Sequence, residues 1–231
     1  MKTVDIKSNL NRETLVDRIV DILEDRILKG DLPPGTKLSE AAIAKEFEVS
    51  RVPAREALQR LQEMNLVRKD HLSRKVAKFN RDEFLQIYEL KNIVEAFGAM
   101  KGALKASEQE LGRIQSVVNR MESCLLNGKV KQLRYLNYDF HDLLVSCCKN
   151  EKLLETYQSL VKQIRWATSL SFDLPNRPKE SFQEHKIIFE TFKKREGERV
   201  RMLLETHSIG NMNRILSQME SEEERDAVSS S

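Results

Sequence analysis

The stretch that most constrains the fold is Ser50 to Val67, SRVPAREALQRLQEMNLV. Ser50 stands just before a helical pattern, where its hydroxyl can accept an orphan N–H of the first turn. Pro53 falls inside that turn, where a missing N–H costs little. Ala57, Leu58 and Leu61 then recur at helical spacing and form an apolar face. Arg51, Arg55 and Gln59 recur one turn apart, so they share a different face. Two guanidiniums at the N-terminal end of a helix suit the major groove of DNA. Arg matches guanine O6 and N7 bidentately, and a helix N-terminus attracts phosphate. An ordinary solvated basic face would carry the same residues, so the neighbouring segments have to decide.

Upstream, Glu13–Lys29 carries Leu15, Ile19, Ile22, Leu23, Ile27 and Leu28, a helical apolar stripe. Asn11 is its expected N-cap and Gly30 its stop. The run GDLPPGTKLSE follows, and two prolines with a glycine read as a turn. Ser39 caps a second helix, Glu40–Glu46, with Ala42, Ile43 and Phe47 apolar, and Glu48–Val49 turns the chain into Ser50. A short helix, a tight turn and an arginine-led helix make the helix-turn-helix order.

Two blocks carry a resemblance. I-L-x-G-x-L-P-P-G-x-x-L-S-E runs from Ile27 to Glu40, and V-S-R-x-P-x-R-E-A-L from Val49 to Leu58. Together they resemble the GntR family of bacterial transcription regulators. The resemblance implies a winged helix-turn-helix in which Ser50, Arg51, Pro53 and Arg55 sit where the family meets its operator. Arg51 and Arg55 would read bases or phosphates, and Ser50 would hold a phosphate. Ala41 stands where some members place a further DNA-contacting arginine. RKDHLSRKVAKF after Val67 is then the two-stranded wing, anchored by Leu66, Val67, Val76 and Phe79. Its tip, near Ser73, lacks the glycine usual in the family, which predicts a different turn. His71, Ser73, Arg74 and Lys75 are the candidates for phosphate or minor-groove contact. Charge placement agrees. From Ser50 to Phe79 there are eight Lys/Arg against three acids, a net of +5, whereas the whole chain is +3. The positive excess is local, as an electrostatic footprint for DNA should be.

From Arg81 onward the sequence predicts helices only: Arg81–Ala106, Glu108–Leu126, Val130–Lys149, Glu151–Phe172, Lys179–Lys194 and Glu198–Met219. The separators are Ser107, Asn127-Gly128, Asn150, the loop DLPNRP and Gly197, all capping or turn residues. Six amphipathic helices suffice for a bundle with its own core. The polar tail ESEEERDAVSSS is expected to be disordered. The expected fold class is therefore mainly α, an N-terminal winged helix-turn-helix plus a C-terminal all-α six-helix bundle. The expected domains are residues 1–79 for DNA, 80–220 for effector binding and dimerisation, and 221–231 as tail.

Three of the four histidines lie in the bundle. Asn137 and His141 are one helical turn apart, so both project from one face. His185 and His207 fall on two later helices, and each of the three histidines has apolar neighbours at helical spacing. Three imidazoles and one carbonyl oxygen can converge on a divalent metal; singly, each histidine reads equally as a packed or surface residue. As a set they resemble the FCD-type ligand domain of the FadR subfamily of GntR regulators, which carries an Asp-x-x-x-His pair and two later histidines. The resemblance maps the metal ligands onto Asn137, His141, His185 and His207, with Asn137 in place of the usual aspartate. It also places Lys91, in the run ELKNIVE, where an arginine is usual. Arg165 is a further candidate for an effector carboxylate, or a surface arginine. Zinc or nickel suits such a donor set.

Composition fixes the rest. Hydrophobic residues make up 40% and charged residues 32%, and no apolar run reaches the length of a membrane span. No signal peptide precedes Glu13, and three cysteines, two of them adjacent (Cys147 and Cys148), make no disulfide framework, so a cytoplasmic protein is expected. The adjacent thiols also admit a redox sensor. The leading expectation is a homodimeric regulator on a two-fold symmetric double-stranded DNA operator, not an enzyme. It is controlled by a small-molecule effector, a carboxylate, held near the metal. The alternatives are a metal-dependent enzyme built on the three histidines and a scaffold that binds DNA non-specifically. No acid stands at a spacing that marks a general base, and an enzyme leaves the N-terminal module unexplained.

Overall fold

A computed structural model describes residues 14–70, 73–172 and 174–229. The chain divides into two compact units, residues 1–78 and 79–231.

The first unit is built from α1 (Leu15–Lys29), β1 (Lys37–Leu38), α2 (Glu40–Glu46), α3 (Arg51–Glu63), β2 (Val67–Asp70) and β3 (Ser73–Val76). Thr14, not Asn11, caps α1. The reason is reciprocity. Thr14 Oγ1 accepts from the Asp17 N–H at 3.1 Å, and the Thr14 N–H donates to Asp17 Oδ2 at 2.7 Å, a complete capping box. Asn11 lies outside the described residues. Gly30 ends the helix at φ 83°, a left-handed conformation that a side chain would strain. Ser39 caps α2 as expected, accepting from Ala42 N–H. Ser50 occupies the N-cap of α3 with extended backbone, but its hydroxyl accepts no capping hydrogen bond.

The wing is larger than its sequence indicates. β2 and β3 pair antiparallel, and β1 adds to the other side of β3, giving the order β1-β3-β2. A two-residue strand carries no alternation, so β1 has no period to read in the sequence. Backbone bonds from Gly35 N–H to Val76 O and from Val76 N–H to Thr36 O, both 2.9 Å, extend that pairing toward the Pro-Pro-Gly turn. The core joins Ile19, Leu23 and Ile27 of α1 to Ala54, Ala57, Leu58 and Leu61 of α3, with Ile43, Leu66, Val67 and Val76. Phe79, expected as a wing anchor, is buried but falls in the second unit.

The second unit is helical throughout its described residues: α4 (Arg81–Lys105), α5 (Glu108–Leu126), α6 (Val130–Ser146), α7 (Glu151–Phe172), α8 (Arg177–Lys193) and α9 (Gly197–Ser229). Asn80 and Ser107 each close a capping box, with Glu83 and Glu110. α6 ends three residues before the expected Lys149, because Cys147 to Lys149 form a turn in which Lys149 takes φ 58°. α8 begins two residues early, at Arg177, since Pro178 fits the first turn of a helix. α9 does not stop at Met219 before a disordered tail. Its backbone is helical to Ser229, through a run of Glu, Arg and Ala with no proline or glycine to break it. α4 packs against α6, α7 and α9. A Cβ on Gly102 of α4 would fall on the Leu144 carbonyl oxygen of α6, so only glycine allows that approach. The main core gathers Ala99 and Ala103 of α4, Ile114 and Met121 of α5, Phe140 and Leu144 of α6, Phe189 and Phe192 of α8, and Leu204 of α9.

Candidate functional site

Each unit carries a candidate site. In the first, Arg51 and Arg55 of α3, Ser73 and Arg74 of β3 and Lys69 of β2 line one shallow cleft with Lys37 to Ala41. Helix start and wing thus present their cations to the same space. Glu40 lies among them, a residue without a part in the sequence-based site. Its carboxylate takes Arg55 Nε at 3.1 Å and Arg74 Nη1 at 2.8 Å. Arg74 above all, and then Arg55, hold the Glu40 carboxyl below its usual range. Ser50, Arg51, Arg55 and Gln59 are exposed, and Pro53 is half-buried. Gln59 bonds Glu63 one turn along and, like Ser50, Pro53 and the half-buried Lys75, does not line the cleft. His71 lies outside the described residues.

In the second unit, α6, α8 and α9 bring His141, His185 and His207 together. Their candidate ligand nitrogens all lie within 4.8 Å of one another, and the ring centroids are 4.8 to 5.3 Å apart. His141 Nε2 is 3.2 Å from His185 Nε2. The outward nitrogens of two rings meet carboxylates: Glu95 Oε1 is 2.7 Å from His141 Nδ1, and Glu184 Oε2 is 2.5 Å from His207 Nδ1. Carboxylates behind imidazoles fix the ring orientation and leave the other nitrogen facing inward, the usual outer shell of a metal site. Burial holds the His185 imidazole well below its ordinary range and brings His207 down to about 4. Both are therefore neutral near pH 7, the form that ligates.

Both carboxylates are themselves held. Arg177, only 2% exposed, grips Glu184 with two hydrogen bonds of 3.0 Å. Burial alone would raise Glu184, but hydrogen bonds from His207 and Arg177 outweigh it and keep the group at about 2. Glu95, 1% exposed, accepts from Lys91 at 2.5 Å, from Ser208 at 3.2 Å and from Tyr157 at 3.3 Å. Burial opposes its charge, and Lys91 and His141 more than offset that, so it stays ionised.

Asn137 lines the same pocket as His141, His207, Lys91, Glu95, Tyr88, Tyr138 and Tyr157. Its Oδ1 is buried without a hydrogen-bond partner. An orphaned acceptor is costly unless something completes it, and a cation beside the imidazoles would. Asp139 is exposed, as its place on the opposite helix face requires. Lys91 is in the pocket, but its ammonium is already engaged by Glu95 and Ser208. Arg165 does not line the pocket; its guanidinium lies 4.1 Å from the ring centroid of Tyr138, which does. The three cysteines are buried and free, and burial pushes Cys147 up to about 11, the opposite of a reactive thiolate.

Glu95, Glu184 and Arg177 are the site residues that sequence reasoning missed. Glu184 sits next to His185 and one helical turn before Ile188, a local signal in the sequence. Glu95 pairs with a histidine 46 positions away, and no local pattern marks that.

Comparison with known proteins gives the identity. Residues 15–73 match the family described as "Bacterial regulatory proteins, gntR family", and residues 86–210, more than half the chain, match the FCD domain. The chain is 27% identical over 187 residues to the uncharacterized HTH-type transcriptional regulator YdhC of Bacillus subtilis, covering 80% of this chain and 84% of that protein. It is 24% identical over 204 residues to the HTH-type transcriptional repressor RspR of Escherichia coli, covering 87% and 90%. Among solved structures, E. coli McbR/YncC shares the fold with a TM-score of 0.78 at 18% identity, over 89% of this chain and 98% of that one. A GntR regulator from Rhodococcus sp. RHA1 gives 0.76 at 22% identity, over 87% and 97%. No described helix is long and apolar enough to cross a membrane. The chain belongs to the GntR family of bacterial regulators with an FCD ligand-binding domain, and it is a DNA-binding transcription regulator rather than an enzyme.

Proposed function

We propose that this regulator acts in the cytoplasm as a homodimer on a two-fold symmetric operator, and that a small carboxylate bound beside a divalent metal in the helical unit sets its affinity for DNA. The first unit, residues 1–78, takes the DNA part and the second, residues 79–231, the effector and dimer part. One observation carries the metal reading. Three imidazoles cluster, two of them backed by carboxylates, and these two, His141 and His207, line a pocket with Asn137, whose Oδ1 is orphaned. His141, His185, His207 and Asn137 would hold the ion, and zinc or nickel suits imidazole donors. When bound, the ion supplies a positive charge in a pocket where Lys91 is already neutralised by Glu95, and an effector carboxylate is its natural counter-ion. Arg165 reaches such an effector only through Tyr138, which makes it the weaker half of the pair with Lys91.

The dimer follows from DNA geometry. Half-sites one turn apart need two recognition helices about 34–36 Å apart, and each chain supplies one. Within the DNA unit, Ser50, Arg51, Pro53, Arg55 and Gln59 of the helix and Ser73, Arg74 and Lys75 of the wing make the contact surface, and His71, outside the described residues, is a further candidate from the sequence. Specific recognition, as opposed to general adhesion to DNA, appears as operator binding that survives excess random DNA.

A thermal-shift screen of small carboxylates, with and without added zinc or nickel, tests the effector reading. A ligand of the folded state raises Tm. The expected result is a carboxylate that raises Tm in the metal-loaded protein and fails to in the metal-free one, and that changes operator affinity. A carboxylate that acts equally without metal would remove the ion from the account.

A further inference from the structure

Helix α3 carries an apolar side chain in its first turn that faces straight into water. The buried row of the helix is Ala54, Ala57, Leu58 and Leu61, all at 0% exposure. At about 100° per residue, the side chain half a turn round from the middle of that row is Val52. Val52 is 60% exposed, more than Leu15 at 50% or Ile22 at 40%, the other exposed large apolar residues described in the first unit. Arg51 and Arg55 stand to one side of it and border the cleft shared with the wing, which Val52 does not line. The outward face continues with the exposed Glu56 and Gln59, and Gln59 is turned along the helix to Glu63. Val52 is therefore what the start of α3 presents directly outward.

A single exposed valine needs no explanation by itself. This one is also a poor local choice. It is β-branched, which lowers helix propensity, and it precedes Pro53, whose ring disfavours helical backbone at the residue before it. The helix includes it all the same, and at such exposure little packing offsets the cost. Sequences break local rules chiefly where function asks for it. The N-terminal residues of a recognition helix are the ones that meet base edges. A branched aliphatic group has one good partner there. Thymine alone puts a methyl on the major-groove edge, at C5. The other groups on that edge are hydrogen-bond donors and acceptors, which a valine would leave unpaired.

We propose that Val52 is a specificity-determining residue that reads thymine by packing on its C5 methyl. This rests on the reading of α3 as the helix that meets the operator, and adds to it a base recognised without hydrogen bonds. Arg51 and Arg55 supply hydrogen bonds to guanine or phosphate. Val52 supplies discrimination of thymine from cytosine, whose amino group it cannot satisfy.

The test uses duplexes selected from a random pool by the full wild-type chain. Each thymine of a selected half-site is replaced in turn by uracil, which lacks only the C5 methyl, and binding is measured at one fixed salt concentration. At one thymine the swap should weaken the wild type about fourfold, the worth of one buried methyl. Val52→Ala should bind the thymine and uracil duplexes within about 1.5-fold of each other, closing a double-mutant cycle on the contact. Val52→Ile should keep the methyl dependence. The position is exposed and alanine is the better helix former, so the Tm of Val52→Ala should hold. If no thymine has a methyl that matters, or if its loss weakens Val52→Ala as much as the wild type, the proposal is overturned and α3 stays on the DNA. Arg51→Ala and Arg55→Ala, measured beside them, separate the two readings. If both bind the selected duplex normally, α3 is not the reading helix and the proposal falls with it.

Discussion

The two candidate sites use charge in opposite ways. In the DNA-binding unit the cations are on the outside: Arg51 and Arg55 are exposed, and Glu40 restrains Arg55 and Arg74. In the helical unit the charges are inside, with Glu95 and Arg177 at 1% and 2% exposure, each held by a partner from the fold. An exposed charge costs the fold little to keep or lose, so it can serve a ligand alone. A buried one must be compensated all round, so the same side chains that shape the pocket also hold the fold together. Substitutions in the first site should therefore change binding at constant stability, and substitutions in the second should change both.

The largest expected effect is at Glu95. Glu95→Ala leaves the Lys91 ammonium buried without its partner, and breaking such a pair costs about 3–5 kcal/mol. Urea denaturation reads that loss. Removing the carboxylate behind His141 should also weaken metal binding by about 10–100-fold. If Glu95→Ala is as stable as the wild type, the helical unit does not rely on its buried charges and the contrast fails.

Gly102→Ala comes next and concerns packing alone. The added Cβ meets backbone, the Leu144 carbonyl, and cannot be relieved by a rotamer change. Overpacking of this kind costs about 1–3 kcal/mol, read in the same denaturation experiment. A neutral result would mean that α4 and α6 slide apart easily.

On the DNA side, Arg51→Ala and Arg55→Ala should each weaken operator binding by about 1–3 kcal/mol if the side chain makes a bidentate base contact, with stability changed by no more than about 0.5 kcal/mol. Arg74→Ala should weaken operator and random DNA alike, as a phosphate contact does. Normal operator binding by both α3 variants would mean that another helix reads the bases. The smallest effect expected is Glu40→Gln, which releases Arg55 and Arg74 from an acid at the DNA face. It should strengthen binding to random DNA more than to operator and steepen the salt dependence. Equal binding before and after would leave Glu40 with a structural part only.

The contrast between the sites also explains what was legible in the sequence. The DNA unit is encoded locally: the Pro-Pro-Gly turn, the Ser39 cap and the spacing of Arg51 and Arg55 all act within a few residues, and the helices and wing follow from them. β1 escaped because two residues carry no period, and the Thr14 cap because Asn11 is equally good chemistry without the returning Asp17. In the helical unit the histidines were legible as ligand types. Their carboxylate partners were not, since Glu95 and His141 meet through α4–α6 packing. Glu40 was unread for a similar reason, as its partners lie 15 and 34 positions away. The end of α9 is polar in composition yet helical to Ser229, because Glu, Arg and Ala also favour helix.

The central claim is that three histidines from three helices form one metal site in the ligand-binding domain. Elemental analysis after reconstitution with zinc or nickel and removal of excess metal tests it most directly, on the wild type beside His141→Ala, His207→Ala and Asn137→Asp. The account predicts about one metal per chain in the wild type, loss of most of it in both histidine variants, and tighter retention in Asn137→Asp, where a charged oxygen replaces a neutral one. Wild type that holds no more metal than His141→Ala would contradict it and leave the histidines as packing residues.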